Sequence, residues 1–441
     1  MRIDKKVQRN ANHAIVKVRR EVYVPWKEGH GAPGVSVCYL GKGLRRQESR
    51  ATEVASDWSS EYCRVRTSED NGRTWSGWTH VRLNWPAREG FVKEEAPSAY
   101  CYDPVSKKIV RSVFQRFLIG EDGAETIQKL WRTGERSFFD HAFWQVSDDE
   151  GRTWSGPRQL RYEDGPCLAP DELPTEEFLS ANQMYAGYTA TATREGTIVF
   201  PVAESPVEIT DRGRAETVHG VRCFIGKWDP AAGDYAWEVS QPIAVPHRIS
   251  GRGLMEPDIA ELKDGRLLLE MRGSTLAVQK GWKGKTESPG RRWISLSEDG
   301  GRTWSAVTDL RYDTGEQFYS PSTYSMLLRH RRTGKLYWFG NITPTPPEGN
   351  LPRYPLYIAE VEETIPALKK DTLTVIDDYD PENDSPKIQF SNFKLLENRE
   401  TGEIELYMTR LGESTSHWLN ASVYKYTITL DILNQQKERK K

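Results

Sequence analysis

A glutamate, an aspartate and an arginine within one short segment could do chemistry together. The segment reads MEPDIAELKDGRLLLEMRG, in which Glu256 precedes the first predicted strand and Asp258 follows two residues later. Side chains two residues apart on a strand face the same way, so both carboxylates would face one site. Arg272 ends the second predicted strand and could pair with an acidic group of a substrate or with Glu256 itself. The segment therefore indicates acid–base chemistry beside a binding site for an anion.

Two isolated histidines and two tyrosines are further candidates. His30 and His219 could act as acids or bases at neutral pH, and Tyr185 and Tyr319 could line the same site. We place Tyr185 and His219 among the catalytic candidates. His30, Tyr319 and Asp258 are placed among the candidates for substrate binding.

The pattern Ser-x-Asp-x-Gly-x-Thr-Trp occurs three times. The copies begin at Ser68, Ser147 and Ser297, and each lies between two strand-like stretches. In a hairpin, Asp accepts hydrogen bonds from the backbone amides of the turn, and Gly permits a positive φ. The repeat is therefore predicted to be a structural hairpin whose aspartates serve the turn rather than catalysis.

The spacing of the copies predicts the fold. The first two copies lie 79 residues apart, and the next gap of 150 is close to two periods, with a decayed copy at Gly226–Val239 between them. Strand-like segments around Tyr357 and Tyr426 extend the series to six units. Such units predict an all-β, six-bladed β-propeller with three intact copies of the repeat. Residues 1–435 are predicted to form this single domain, with the N-terminal segment closing the ring and 436–441 as a charged tail.

Composition narrows the classes of partner. The 441 residues carry a formal net charge of −2, which provides no basic surplus for nucleic acid. No apolar run reaches about eighteen residues, so no membrane-spanning helix is predicted. The basic N-terminus lacks the apolar core of a secretion signal, which predicts a cytoplasmic protein unless such a signal has been removed. The five cysteines show no CxxC spacing, and neither a disulfide framework, a metal site nor a cofactor is predicted.

These motifs resemble the sialidase (neuraminidase) superfamily, in which the repeat is called the Asp-box. The resemblance covers nearly the whole chain, and GYTATATREGTIVFPV and the Glu256 segment carry it best. It implies that three arginines bind a substrate carboxylate, that a glutamate-activated tyrosine attacks the sugar, and that an aspartate is the acid/base. The glutamate matches Glu256, one arginine matches Arg272 and another matches Arg353. For the acid/base, both Asp57 and Glu61 are candidates.

The sequence departs from the family pattern at two points. The first blade opens with EGHGAPGVSV, without the expected arginine, and His30 is the nearest polar side chain. The last blade opens with QFSNFKLL, where Phe390 stands in place of the expected tyrosine. Because Phe cannot attack a sugar, the resemblance implies a mechanism without a tyrosine nucleophile at this position. The sugar need not be a sialic acid.

Three functions remain open at this point. We predict an exo-acting glycoside hydrolase that removes a terminal acidic sugar from a glycan, with Glu256 and Asp57 as the acid and base of an inverting reaction. A lyase would instead abstract a proton beside a uronate carboxylate, with a His or Tyr base and Arg272 neutralising the acid. A non-catalytic propeller that binds carbohydrate or protein would explain the missing arginine and tyrosine. The predicted partner is an oligosaccharide, and the sequence carries no indication of oligomeric state.

Overall fold

The chain folds into sheets that surround a central channel. The structure is a computed structural model, and it describes residues 16–28, 30–54, 62–86, 90–120, 138–169, 172–185, 187, 189–204, 207–209, 215–217, 220–275 and 286–430. Within these residues six sheets form a six-bladed β-propeller, which confirms the predicted all-β fold class. No helix in the same residues is long and apolar enough to cross a membrane.

Blades 1 to 3 follow one another along the chain, after a first strand that belongs to the last blade. That strand is β1 (Val16–Val24). Blade 1 consists of β2 (Ala32–Tyr39), β3 (Arg46–Val54), β4 (Tyr62–Ser68) and β5 (Thr79–Arg82). Blade 2 consists of β6 (Asn84–Pro86), β7 (Phe91–Tyr102), β8 (Ile109–Ile119), β9 (Phe138–Ser147) and β10 (Arg158–Gln159). After helix α1 (Glu176–Ser180) come β11 (Met184–Tyr185), β12 (Thr191–Ala192), β13 (Thr197–Glu204), β14 (Val207–Ile209), β15 (Ala215–Thr217), β16 (Gly220–Asp229) and β17 (Asp234–Val239). Of these strands, β14 and β15 form a separate two-stranded hairpin, and the other five form blade 3.

Blades 4 to 6 complete the ring. Blade 4 consists of β18 (Met255–Glu261), β19 (Leu267–Arg272), β20 (Arg292–Ser297) and β21 (Thr308–Asp309). Blade 5 consists of β22 (Met326–Arg329), β23 (Leu336–Asn341), β24 (Leu356–Glu362), β25 (Ala367–Leu368) and β26 (Thr374–Asp377), with a 3-10 turn at Lys370–Thr372. Blade 6 consists of β27 (Lys394–Glu397), β28 (Ile404–Thr409) and β29 (Val423–Leu430), and β1 pairs with β29 as its outer strand.

The three copies of the Ser-x-Asp-x-Gly-x-Thr-Trp repeat form the turns after β4, β9 and β20, in blades 1, 2 and 4. In the second copy, Asp149 accepts hydrogen bonds from the hydroxyl of Thr153 at 2.6 Å and from its backbone amide at 2.9 Å. The hydroxyl of Ser147 donates to the same carboxylate at 2.8 Å, and Gly151 has a φ of 77°. These contacts hold the pKa of the Asp149 carboxyl far below its usual value. The aspartate therefore serves the turn.

Two buried carboxylates hold β1 against its neighbouring blades. Glu48 of blade 1 accepts hydrogen bonds from the hydroxyl of Tyr23 at 2.8 Å and from Arg66 at 2.6 Å. On the other side, Asp377 of blade 5 accepts one from Arg20 at 2.8 Å. Because Tyr23 and Arg20 both belong to β1, this strand connects blade 6 to blades 1 and 5.

The direction of the strands divides the loops between two faces. The inner strand of blade 4 begins where its second strand ends, since Met255 pairs with Arg272, and Arg272 pairs in turn with Arg292 at the start of the third strand. We call this the upper face. In blade 4 the repeat turn follows the end of β20 at Ser297, so it lies at the opposite face. The candidate functional site lies at the upper face.

Candidate functional site

Glu256 stands at the upper end of the inner strand of blade 4, in a backbone conformation that is unusual for glutamate. Its φ is 48°, in the left-handed region that favours glycine. The pairing of β18 with β19 is irregular between Met255 and Asp258. An irregularity of this kind bends a strand and redirects a side chain. Strained backbone of this kind is found most often at functional sites.

An ion pair joins Glu256 to Arg272. The Oε1 atom of Glu256 lies 2.5 Å from Nη1 of Arg272, and the side chains are 12% and 8% exposed. Nη2 of Arg272 donates to Oδ1 of Asn350 at 3.3 Å. Within the described part of the chain, the buried atoms Oε2 of Glu256 and Nε of Arg272 have no hydrogen-bond partner. Since an unsatisfied buried polar atom costs free energy, a polar molecule bound here would gain by contacting these atoms.

Three arginines act on the carboxylate of Glu256. Burial raises its pKa, but the positive charges of Arg272, Arg353 and Arg292 outweigh burial, so the pKa of Glu256 is lower than usual. The carboxylate is therefore ionised at neutral pH. An ionised carboxylate can accept a proton, which suits a general base rather than a general acid.

Polar contacts hold two of these arginines in place. Arg353 lies in the loop between β23 and β24, where Nη1 donates to Oε1 of Gln389 at 2.9 Å and Nη2 donates to the carbonyl of Ser322 at 3.2 Å. Arg292 is fully buried, and its Nε lies 3.6 Å from the carboxylate of Glu270. Arg353 is half-buried, so of these two arginines it is the one that a ligand can reach.

Asp258 lies deeper in the channel than Glu256. Its side chain is 2% exposed, with Oδ2 accepting a hydrogen bond from the backbone of Leu327 at 2.5 Å and Oδ1 accepting one from the backbone of Ile259 at 2.7 Å. Burial raises the pKa of Asp258 to about 7 against the opposite effect of these hydrogen bonds. Asp258 thus connects the inner strands of blades 4 and 5. Its predicted contact with a substrate stays a prediction, and this geometry does not favour it.

Two residues near the site were missed by the sequence reasoning. Tyr324 precedes β22 and is 3% exposed, and burial followed by the negative charges of three nearby carboxylates raises the pKa of its hydroxyl far above the usual value. Lys394 begins β27, and its Nζ lies 5.6 Å from the centre of the Tyr324 ring. Both residues stand at the start of an inner strand. That position was the signal by which they could have been found.

The structure places three other candidates in separate surroundings. Tyr185 is half-buried, and its ring meets Phe114 of blade 2 edge-on at a centroid distance of 6.1 Å. Tyr319 has the guanidinium of Arg291 4.8 Å from its ring centre. His30 is exposed just before blade 1. The functional roles of these three residues stay predictions.

The remaining sequence candidates lie outside the described residues or in the core. Asp57, Glu61 and His219 fall outside the described ranges. Phe390 is fully buried in the core shared by blades 5 and 6, with the guanidinium of Arg410 5.0 Å from its ring centre. Across the described ranges, no group of three or more His, Cys, Asp or Glu side chains is arranged to hold a metal ion.

Comparison with known proteins identifies the fold. No family model and no curated protein matches the sequence. A Dyadobacter fermentans protein of unknown function is similar in structure, with a TM-score of 0.57 at 15% identity over 94% of this chain and 99% of that one. A mutant of the NanB sialidase from Streptococcus pneumoniae gives 0.56 at 13% identity, over 93% of this chain and 71% of the sialidase. The intramolecular trans-sialidase of Ruminococcus gnavus gives 0.54 at 11% identity, over 93% and 97% of the two chains. The expected sialidase-like six-bladed propeller fold is therefore confirmed.

Proposed function

We propose that this protein is an exo-acting glycoside hydrolase that removes a terminal acidic sugar from a glycan. The observation that carries the proposal is the carboxylate of Glu256, which a left-handed backbone and the ion pair with Arg272 hold at the upper face. Its Oε2 atom has no hydrogen-bond donor among the residues that the structure describes. An ionised, oriented carboxylate with one oxygen that accepts no hydrogen bond suits the activation of a water molecule.

The proposed reaction inverts the configuration of the sugar. Glu256 accepts a proton from a water molecule as the water oxygen bonds to the anomeric carbon, and the bond to the leaving oxygen breaks. A second carboxyl group protonates that oxygen, and Asp57 and Glu61 are the candidates for it. Inverting enzymes hold their two carboxyl groups about 6.5–9.5 Å apart, which leaves room for the water.

The arginines support an acidic rather than a neutral sugar. Arg353 is half-buried near Glu256, and guanidinium binds carboxylate through two parallel hydrogen bonds. The similar structures that are named as a sialidase and a trans-sialidase support the same class of substrate by analogy of fold. The burial of Phe390 supports a reaction in which no tyrosine attacks from that position.

A panel of glycosides tests the proposal. Wild type and Glu256→Gln would be incubated with sialosides, glucuronides, galacturonides and their neutral counterparts, and sugar release and product configuration followed by NMR. We expect release of an acidic sugar with inversion, and a loss of about 10²–10⁴-fold in kcat for Glu256→Gln, the usual contribution of a general base. Glu261→Gln is the matched control, because Glu261 ends the same strand at the opposite face and pairs with Arg194 at 3.1 Å.

The same panel separates the alternative functions. An unsaturated uronate among the products would identify a lyase. Absence of release from every glycoside, together with binding that Glu256→Gln leaves unchanged, would contradict the hydrolase and favour a binding propeller.

A further inference from the structure

The inner strands of blades 4 and 6 begin in the same unusual way. Asn392, two residues before β27, has a φ of 56°, and Glu256 has a φ of 48°. The side chain of Asn392 is exposed, whereas that of Phe393 is fully buried in the core. Two blades thus use a left-handed residue at the upper face, and in both cases that residue is polar.

Lys394 follows Asn392 by two residues, as Asp258 follows Glu256. Its Nζ lies 5.6 Å from the ring centre of Tyr324 on blade 5. Asp258 of blade 4 and Cys38 of blade 1 both act electrostatically on its ammonium group. A side chain of blade 6 that is close to blades 1, 4 and 5 must lie near the propeller axis. Lys394 as a whole residue is half-buried.

The two blades differ in charge at these corresponding positions. Blade 4 presents Glu256 and Asp258, while blade 6 presents Asn392 and Lys394. Burial lowers the pKa of Lys394 to about 8, with the charge of Asp258 acting in the opposite direction. The ammonium group is therefore mostly protonated at neutral pH.

Arg272 is less suited to bind a ligand anion than the resemblance implies. Its Nη1 is held by Glu256 and its Nη2 by Asn350, so an incoming carboxylate would compete with Glu256 for the guanidinium. The incoming carboxylate would also come close to the negative charge of Glu256. Lys394 offers a cation on another blade, one on which Asp258 rather than Glu256 acts.

We propose that Asn392 and Lys394 bind the acidic group of the sugar, Lys394 through its charge and Asn392 through hydrogen bonds. The inference rests on the proposed function and deepens it, because it names the part of the site that selects acidic over neutral sugars. The acidic group then lies on the side of blade 6. An amide both donates and accepts hydrogen bonds, which suits carboxylate and hydroxyl oxygens alike.

Binding of free monosaccharides tests the inference without any need for turnover. Titration calorimetry would use glucuronate, galacturonate and N-acetylneuraminate as acidic probes, and glucose and galactose as neutral ones. We expect the wild type to prefer one acid over its neutral counterpart, and Lys394→Met to reduce that preference about tenfold or more, which corresponds to the loss of one charge contact. Lys394→Arg should retain most of it, and Asn392→Ala should weaken the same acid less. Lys387→Met is the control, because Lys387 is exposed on the approach to the same strand.

Three results would overturn the inference. They are an acid preference that survives in Lys394→Met, an equal loss of acidic and neutral sugars in that variant, and a wild type that binds none of the acids. The two proposals can fail separately. If no glycoside is cleaved and acid binding still depends on Lys394, the hydrolase proposal fails and the binding site stands. If cleavage depends on Glu256 and acid binding does not depend on Lys394, the hydrolase proposal stands and the proposed binding site fails.

Discussion

Oε1 of Glu256 and Nη1 of Arg272 lie 2.5 Å apart, although sixteen residues of chain separate the two residues. The contact is possible because the first residue of β18 pairs with the last residue of β19, which brings both ends to the upper face. Arg272 therefore controls both the direction and the ionisation of the carboxylate that we propose as the base.

Replacing Arg272 by methionine should raise the pKa of Glu256, because burial would remain while the nearest positive charge is lost. If Glu256 is the base, the acidic limb of the pH profile of kcat/KM should move to higher pH by about one pH unit or more. Arg302→Met, which removes an exposed guanidinium at the opposite face of the same blade, serves as the control. An acidic limb that stays in place would contradict the assignment of Glu256 as the base.

Tyr324→Phe should reduce kcat only modestly. The raised pKa of Tyr324 keeps its hydroxyl protonated, so the group can donate a hydrogen bond but is a poor nucleophile. Loss of one hydrogen bond corresponds to about tenfold or less in rate. Single-turnover kinetics would measure the effect on the chemical step. A loss as large as that of Glu256→Gln would make Tyr324 a candidate for the attacking group and would contradict the inverting mechanism.

Asp258 should make the folded state less stable as pH rises. Its folded-state pKa of about 7 exceeds the usual value of an unfolded aspartate, about 3.9, so between these values the folded chain binds more protons than the unfolded one. The free energy of unfolding should therefore carry a component that falls from about pH 4 to about pH 7, by at most about 1.4 kcal/mol per pH unit. Denaturant titrations of wild type and Asp258→Asn across this range would isolate it. Equal slopes in the two proteins would rule the effect out.

Glu48→Gln should destabilise the ring where β1 meets blade 1. The buried carboxylate of Glu48 binds Tyr23, Arg50 and Arg66, and its neutralisation would leave these arginines without their counter-charge. Breaking a buried ion pair from one side costs about 3 kcal/mol or more. Glu69→Gln, at an exposed carboxylate that pairs with Arg45, should cost only about 0–1 kcal/mol. Thermal or denaturant unfolding would compare the two, and equal costs would mean that Glu48 does not hold the closure.

The fold could be predicted from the sequence because its signals are local. Each copy of the repeat forms a turn between two neighbouring strands of one blade, and the spacing of Ser68, Ser147 and Ser297 predicts the number of blades. The proximity of Glu256 and Arg272 could be predicted for the same reason, since the two residues lie on one pair of neighbouring strands.

The rest of the site could not be predicted because blades far apart in sequence supply it. Nothing near Lys394 indicates that its ammonium group lies beside Tyr324, 70 positions earlier in the chain. Arg292 is completely buried beside Glu270. Its effect on Glu256 could be found only in three dimensions. The left-handed backbone conformation of Glu256 could not be predicted either, because glutamate has no preference for that conformation.

The pairing of β1 with β29 places Val16 opposite Leu430, so the two strands that close the ring are among the most distant in sequence. Loop-closure entropy makes such contacts slow to form, and they come late in folding. During synthesis β1 leaves the ribosome long before its partner β29 does. Until β29 is made, the backbone of β1 lacks the strand with which it pairs in the folded protein. We therefore expect the nascent chain to depend on protection of β1 during this interval. The same closure, once made, lets neither β1 nor β29 detach without opening the whole ring.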